Sequence, residues 1–130
     1  MKNVRIRKAF MITVALSGVI LNVAYGTGLL SSFIDPQYNS TLRGILISAI
    51  ILEFSWAALL LWVVFKPFER RPILLFTIIP ILSGNIFHSI SQHMDGQGDA
   101  GSMALNTVFG LLYAGLYAGA YCLGKPDEEK

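Results

Sequence analysis

Charged residues are scarce in this chain of 130 residues. They make up 14% of it, whereas an ordinary soluble domain carries roughly 25%. Apolar residues, counted with tyrosine, make up 54%. The 10 Lys and Arg and the 8 Asp and Glu leave a net charge of +2, which is too small to indicate a nucleic-acid partner. This composition argues against a soluble enzyme and against a nucleic-acid-binding domain.

Cysteine and histidine are also scarce, with one Cys and two His in the chain. The single cysteine, Cys122, can form neither an intramolecular disulfide nor a thiolate metal site. His88 and His93 are five residues apart, which places them off one helical face, and no histidine occurs on another apolar segment. A bis-histidine haem is therefore disfavoured. The sequence predicts no metal site and no cofactor.

The chain does contain four long apolar segments, which cover residues 9–30, 42–65, 72–92 and 103–123. Each has 21 to 24 residues. As a helix, such a segment reaches roughly 32–36 Å, which matches a hydrocarbon core of about 30 Å. The tails and loops are too short for a soluble domain. The sequence therefore predicts an all-α polytopic membrane protein, in which residues 1–130 form a single antiparallel bundle of four transmembrane helices.

The basic residues lie almost entirely on one side of the predicted bundle. Nine of the ten fall in the N-terminal tail, in the loop between the second and third segments, or in the C-terminal tail, and Arg43 is the exception. The loops on the other side contain Asp35, Asp95 and Asp99. The positive-inside rule then places both termini in the cytoplasm. The expected location is the cytoplasmic membrane of a bacterium.

Glu53 is the only charged residue between Arg43 and Lys66, and it lies near the middle of the second segment. An acid at that depth costs roughly 2.5–3.5 kcal/mol on translocon scales, so Glu53 is expected to face the interior of the bundle. The functional interpretation is a proton carrier or a cation-binding acid, because intramembrane acids are rarely idle. The structural alternative is a protonated hydrogen-bonding partner.

Polar residues on all four segments fall at comparable depths. Counting ~1.5 Å per residue from the outer helix ends places Asn22, Asn85 and Tyr113 about level with Glu53. His88 is the natural partner for this acid. The inner halves of the segments are mainly apolar, so the sequence predicts a polar pocket that opens outward. The predicted site for a proton, a cation or another ligand comprises Glu53, His88, Asn85, Asn22, Tyr113, Tyr25, Trp56 and Asn106.

Proline and glycine indicate how the helices bend and pack. Pro80 lies near the middle of the third segment, where it should kink the helix and could act as a hinge; the alternative is a static kink. Gly115 and Gly119 form a GxxxG motif in the fourth segment, and Gly18 and Gly26 share a face of the first segment with Asn22. Such surfaces allow close helix packing. The GxxxG motif predicts either packing inside the bundle or a homodimer.

Three functions fit these features. The first is a transporter or transporter subunit in which Glu53 couples to a proton or a small cation. The second is a membrane enzyme, or a quinone- or lipid-binding subunit, with Glu53 and His88 as acid and base around an apolar ligand. The third is an accessory or assembly subunit whose polar residues hold the helices together. The sequence leans against an enzyme, because its loops offer no nucleophile–base pair.

Overall fold

The computed structural model describes residues 2–34, 40–94 and 100–124. These residues form four helices and contain no strand, so the prediction of an all-α chain is confirmed. The helices are α1 (Lys2–Phe33), α2 (Ser40–Phe65), α3 (Arg71–Met94) and α4 (Ala100–Leu123). Each predicted apolar segment falls within one of them.

Three of the helices are long and apolar enough to cross a membrane, over Asn3–Ser31, Arg43–Phe65 and Met103–Leu123. The lengths and composition of these helices are those of a membrane protein. α3 has an apolar part over Arg71–Gly84 and continues as helix to Met94. With 24 residues it is as long as α4, and its crossing of the membrane stays a prediction.

α1 begins seven residues before the predicted segment. The residues between Lys2 and Lys8 include no proline or glycine, and lysine and arginine are good helix formers. The helix therefore continues from the apolar part into the basic tail. The basic residues Arg5, Arg7 and Lys8 therefore lie on α1 itself.

Consecutive helices pack as antiparallel hairpins. α1 packs mainly along α2, and α3 packs mainly along α4. Gly18 lies beside Leu60, and Gly26 lies beside Glu53 and Phe54, so the chain direction reverses between α1 and α2. The two hairpins meet through smaller contacts between α1 and α4 and between α2 and α3.

The buried core lies in the half of the bundle that contains the α1 N-terminus and the α4 C-terminus, which we call the proximal half. The core residues are Met11, Val14, Ala15, Leu60, Val63, Leu74, Tyr117 and Ala120. In the distal half, the described residues of α1 after Gly26, of α2 before Ala57 and of α4 before Gly110 include no buried residue. Packing between the hairpins is therefore concentrated in the proximal half.

The glycines differ in how tightly they are packed. A Cβ added at Gly18 or Gly26 would press on neighbouring helices, but one added at Gly115 or Gly119 would meet nothing within 4 Å. The GxxxG motif of α4 therefore does not pack against any other helix among the described residues. A homodimer through Gly115 and Gly119 stays a prediction.

Candidate functional site

Glu53 lies half-buried on the face of α2 that also carries Trp56, Ala57 and Leu60. Its Cβ is 3.4 Å from the position that a Cβ on Gly26 would occupy, so α1 passes close to it. Among the residues that the structure describes, none donates a hydrogen bond to the Glu53 carboxylate or pairs with it. The carboxylate can therefore bind a proton or a cation without first breaking an interaction with a described residue.

Trp56 joins α2 to α3. Its indole Nε1 donates a hydrogen bond of 3.2 Å to Thr77 Oγ1, and the Thr77 hydroxyl donates one of 2.7 Å to the Ile73 carbonyl. Thr77 is only 2% exposed. Trp56 is one of the predicted site residues and Thr77 is not, although Thr77 is the only polar residue between Pro72 and Ser83. The polar edge of Trp56 is thus used to hold two helices together.

Tyr113 joins α4 to α1. Its hydroxyl donates a hydrogen bond of 2.7 Å to Ser17 Oγ, and the Ser17 hydroxyl donates one of 2.8 Å to the Val14 carbonyl. The rings of Tyr113 and Tyr117 pack with centroids 5.4 Å apart. Tyr117 is fully buried. Its hydroxyl lies beside Gly18 and forms no hydrogen bond with a described residue.

The levels of Glu53 and Tyr113 differ along the bundle axis. Glu53 lies against α1 at Gly26, whereas Tyr113 reaches α1 at Ser17, nine residues or about 13 Å nearer the α1 N-terminus. Residues at equal distances from their outer helix ends lie level only if those ends share one plane. In the structure α2 extends further than α1 at this end. Tyr113 therefore belongs to the packed proximal half, and the structure does not bring it next to Glu53.

The two predicted site residues of α1, Asn22 and Tyr25, lie on different sides of the helix. Asn22 is half-buried, and its side-chain amide donates a hydrogen bond of 2.7 Å to the Gly18 carbonyl of its own helix. Tyr25 is 67% exposed and, with Ala24, Gly28 and Leu29, lines a shallow apolar depression of about 310 Å³ on the surface of α1. The structure therefore places Asn22 on the packed side of α1 and Tyr25 on its exposed side.

The remaining predicted residues lie on α3 and α4. Asn106 is half-buried on α4, in the distal half. Pro80 lies inside the continuous helix α3, where the Ser83 hydroxyl donates a hydrogen bond of 2.9 Å to the Ile79 carbonyl. The side chains of Asn85 and His88 lie outside the described residues. The pairing of Glu53 with His88 and the hinge at Pro80 stay predictions.

No protein-family model matches this chain, and neither the curated proteins nor the solved structures contain a match. The described residues include no group of three or more His, Cys, Asp or Glu side chains that could hold a metal ion. The group of this site that can bind a proton or a cation is the Glu53 carboxylate, which lies on the inward face of α2.

Proposed function

We propose that this protein is a transporter, or a transporter subunit, of a bacterial cytoplasmic membrane, and that Glu53 binds the transported or coupled proton or small cation. The observation that carries the proposal is the position of Glu53. It is the one acid within the described part of the spans, it faces the interior of the bundle, and it has no described partner.

The contrast with the other polar residues supports a functional role. Trp56 and Tyr113 each donate a hydrogen bond to another helix, as expected of residues that stabilise helix packing, and Asn22 donates one to its own helix. Glu53 has no such bond with a described residue, although an unpaired ionised acid in a membrane carries a high free-energy cost. Binding of a proton or a cation lowers this free-energy cost, because it neutralises the carboxylate.

The distribution of packing supports access from one side. The buried core fills the proximal half of the bundle, and no described residue of α1 after Gly26, of α2 before Ala57 or of α4 before Gly110 is buried. Ala57 is the buried residue of α2 nearest the distal end, and Glu53 lies on its distal side. The packed half of the bundle therefore separates Glu53 from the basic end. A proton or cation that reaches Glu53 from the distal side fits this arrangement, and His88 and Asn85 are then its proposed companions on α3.

Substitution of Glu53 by glutamine is expected to abolish ion flux. The full-length protein is reconstituted in liposomes that contain a pH-sensitive dye, and proton uptake is followed under a potassium-valinomycin potential; sodium uptake is measured in parallel. Parent protein should exceed empty liposomes, and Glu53→Gln should fall to their level. Glutamine keeps the size of the side chain but holds no exchangeable charge.

Glu69→Gln is the matched control, because it makes the same chemical change in an exposed residue of the α2–α3 turn. This variant should retain parental flux. Equal flux in Glu53→Gln and parent, or no flux in the parent above empty liposomes, would contradict the proposal. In the second case, a heteromeric partner retained in mild detergent would favour the assembly-subunit alternative.

The proposed orientation predicts opposite labelling of the two ends of α2. In a Cys122→Ser background, Ser40→Cys should react with a membrane-impermeant maleimide on intact bacterial cells, since Ser40 is exposed at the distal end. Glu69→Cys, also exposed, should react only after the membrane is permeabilised. The reverse pattern would place the basic end outside and would overturn the assignment by the positive-inside rule.

A further inference from the structure

Six basic side chains surround the proximal end of the bundle, and we call them the basic collar: Arg5, Arg7, Lys8, Lys66, Arg70 and Arg71. Contacts place α1, the α2–α3 turn and α4 together at this end. The Arg71 guanidinium donates a hydrogen bond of 2.7 Å to the Gly124 carbonyl, and Gly124 lies beside the Met11 side chain. Among the described residues of this end, Glu69 is the only acid. Over its described residues, this surface is therefore strongly positive.

The first two turns of α1 combine exposed charge with exposed apolar surface. Arg5 and Lys8 are exposed, and so are Val4 at 47% and Ile6 at 64%. These residues precede the uncharged apolar run that begins at Ala9, so they lie where the hydrocarbon core is expected to give way to headgroups. Apolar side chains gain from partial insertion at that level, while basic side chains gain from anionic headgroups.

Arg70 is held in a fixed position at the same end. Its guanidinium lies over the ring of Trp62 at 4.0 Å and donates a hydrogen bond of 2.7 Å to the Trp62 carbonyl. Trp62 is half-exposed, and tryptophan prefers the membrane–water interface, so the pair marks the level of the headgroups. A guanidinium has five N–H donors in a planar fork, and those not used on Trp62 suit a phosphate.

Lys66 of the collar already has an anionic partner. Its ammonium group forms an ion pair of 3.0 Å with Glu69. The capacity of the collar for a further anion therefore rests mainly on Arg5, Lys8 and Arg70. Since the collar lies directly against the membrane, the anion that it meets at high concentration is the phosphate of an acidic lipid.

We propose that the basic collar binds anionic phospholipid headgroups, with Arg5 and Lys8 of α1 and Arg70 of the α2–α3 turn as the principal contacts. Charge complementarity supplies the affinity, and the exposed apolar side chains of Val4 and Ile6 add contact with the acyl boundary. This inference is independent of the transported ion and of Glu53.

The test compares an anionic lipid with a zwitterionic one. Full-length protein in neutral detergent is titrated with short-chain phosphatidylglycerol or phosphatidylcholine, and bound lipid is counted by native mass spectrometry. Phosphatidylglycerol should bind more tightly, and the double variant Arg5→Gln/Lys8→Gln should weaken its binding roughly 30-fold, at about 1 kcal/mol per basic residue. Binding of phosphatidylcholine should not change.

Two controls separate charge from fold. The conservative double variant Arg5→Lys/Lys8→Arg should keep parental affinity, and Arg43→Gln, which removes the basic residue of the opposite end, should also keep it. The proposal is overturned if the double glutamine variant binds phosphatidylglycerol as the parent does. It is also overturned if the two lipids bind equally, or if millimolar inorganic phosphate displaces phosphatidylglycerol, which would indicate a site for free anions.

Discussion

Replacement of Gly18 by alanine is expected to destabilise the protein by about 1–3 kcal/mol, the usual penalty for overpacking a core. A Cβ at this position would overlap the Tyr117 hydroxyl and would lie 2.6 Å from Leu60 Cδ1. These neighbours belong to α4 and α2, and both side chains are fully buried. A single methyl group would therefore push three helices apart where the two hairpins are held together.

The hydroxyl of Tyr117 makes this prediction unusually specific. It has no hydrogen bond to a described residue, so Tyr117→Phe alone should change the free energy of unfolding by less than about 1 kcal/mol. The double variant Gly18→Ala/Tyr117→Phe should recover much of the lost stability, because the phenylalanine lacks the atom that the new Cβ would overlap. A double-mutant cycle then isolates this contact as a coupling energy.

Unfolding by sodium dodecyl sulfate in mixed micelles, followed by circular dichroism, measures these differences. Gly115→Ala is the matched control, because a Cβ at Gly115 meets nothing within 4 Å. It should be neutral, or stabilising by about 0.5–1 kcal/mol through the higher helix propensity of alanine. If Gly18→Ala unfolded at the same detergent fraction as Gly115→Ala, the close approach of α1, α2 and α4 would be wrong.

The glycine faces of α1 and α4 differ in a way that the sequence alone does not predict. Gly115 and Gly119 form the more familiar motif, yet no described residue of another helix covers the side of α4 that carries them. Gly18 and Gly26, eight residues apart, are the ones packed against other helices. Spacing shows that a helix has a small-residue face, but which helix covers that face depends on the tertiary arrangement.

Features that depend on one helix at a time were predictable. The apolar lengths gave the four helices, and 3.6-residue periodicity placed Glu53 on the same face as Trp56, Ala57 and Leu60, which all face inward in the structure. Features that depend on the axial offset between helices were not. The depth count therefore set Tyr113 level with Glu53, although the bond to Ser17 places it about 13 Å away along α1.

Arg71→Ala is expected to reduce the free energy of unfolding by about 1.5–3 kcal/mol, the range for a hydrogen bond to a charged group. In the sequence, Arg71 is recognisable only as one of the positive charges between the second and third apolar segments. In the structure its guanidinium donates to the Gly124 carbonyl at 2.7 Å and lies 5.6 Å from the centre of the Tyr121 ring. It thereby joins the start of α3 to the end of α4.

The reason for the large effect is the position of the carbonyl. A helix C-terminus presents carbonyl groups without intrahelical donors and carries a partial negative charge, so a half-buried cation there is favourable. Gly124 also lies against Met11 of α1, and loss of the arginine would loosen that contact as well. Arg71→Lys should keep the charge but lose the planar donor, so its stability should fall between those of parent and Arg71→Ala.

Lys66→Ala is the appropriate comparison, because it also removes a cation from the collar. Its ion pair with Glu69 is exposed, with 55% and 67% of the two side chains accessible, and exposed pairs contribute about 0–1 kcal/mol. Thermal unfolding in detergent at two salt concentrations should show a small, salt-sensitive loss for Lys66→Ala and a larger loss for Arg71→Ala that persists in salt. Equal losses would mean that the α3–α4 end is held by net charge alone and not by the bond to Gly124.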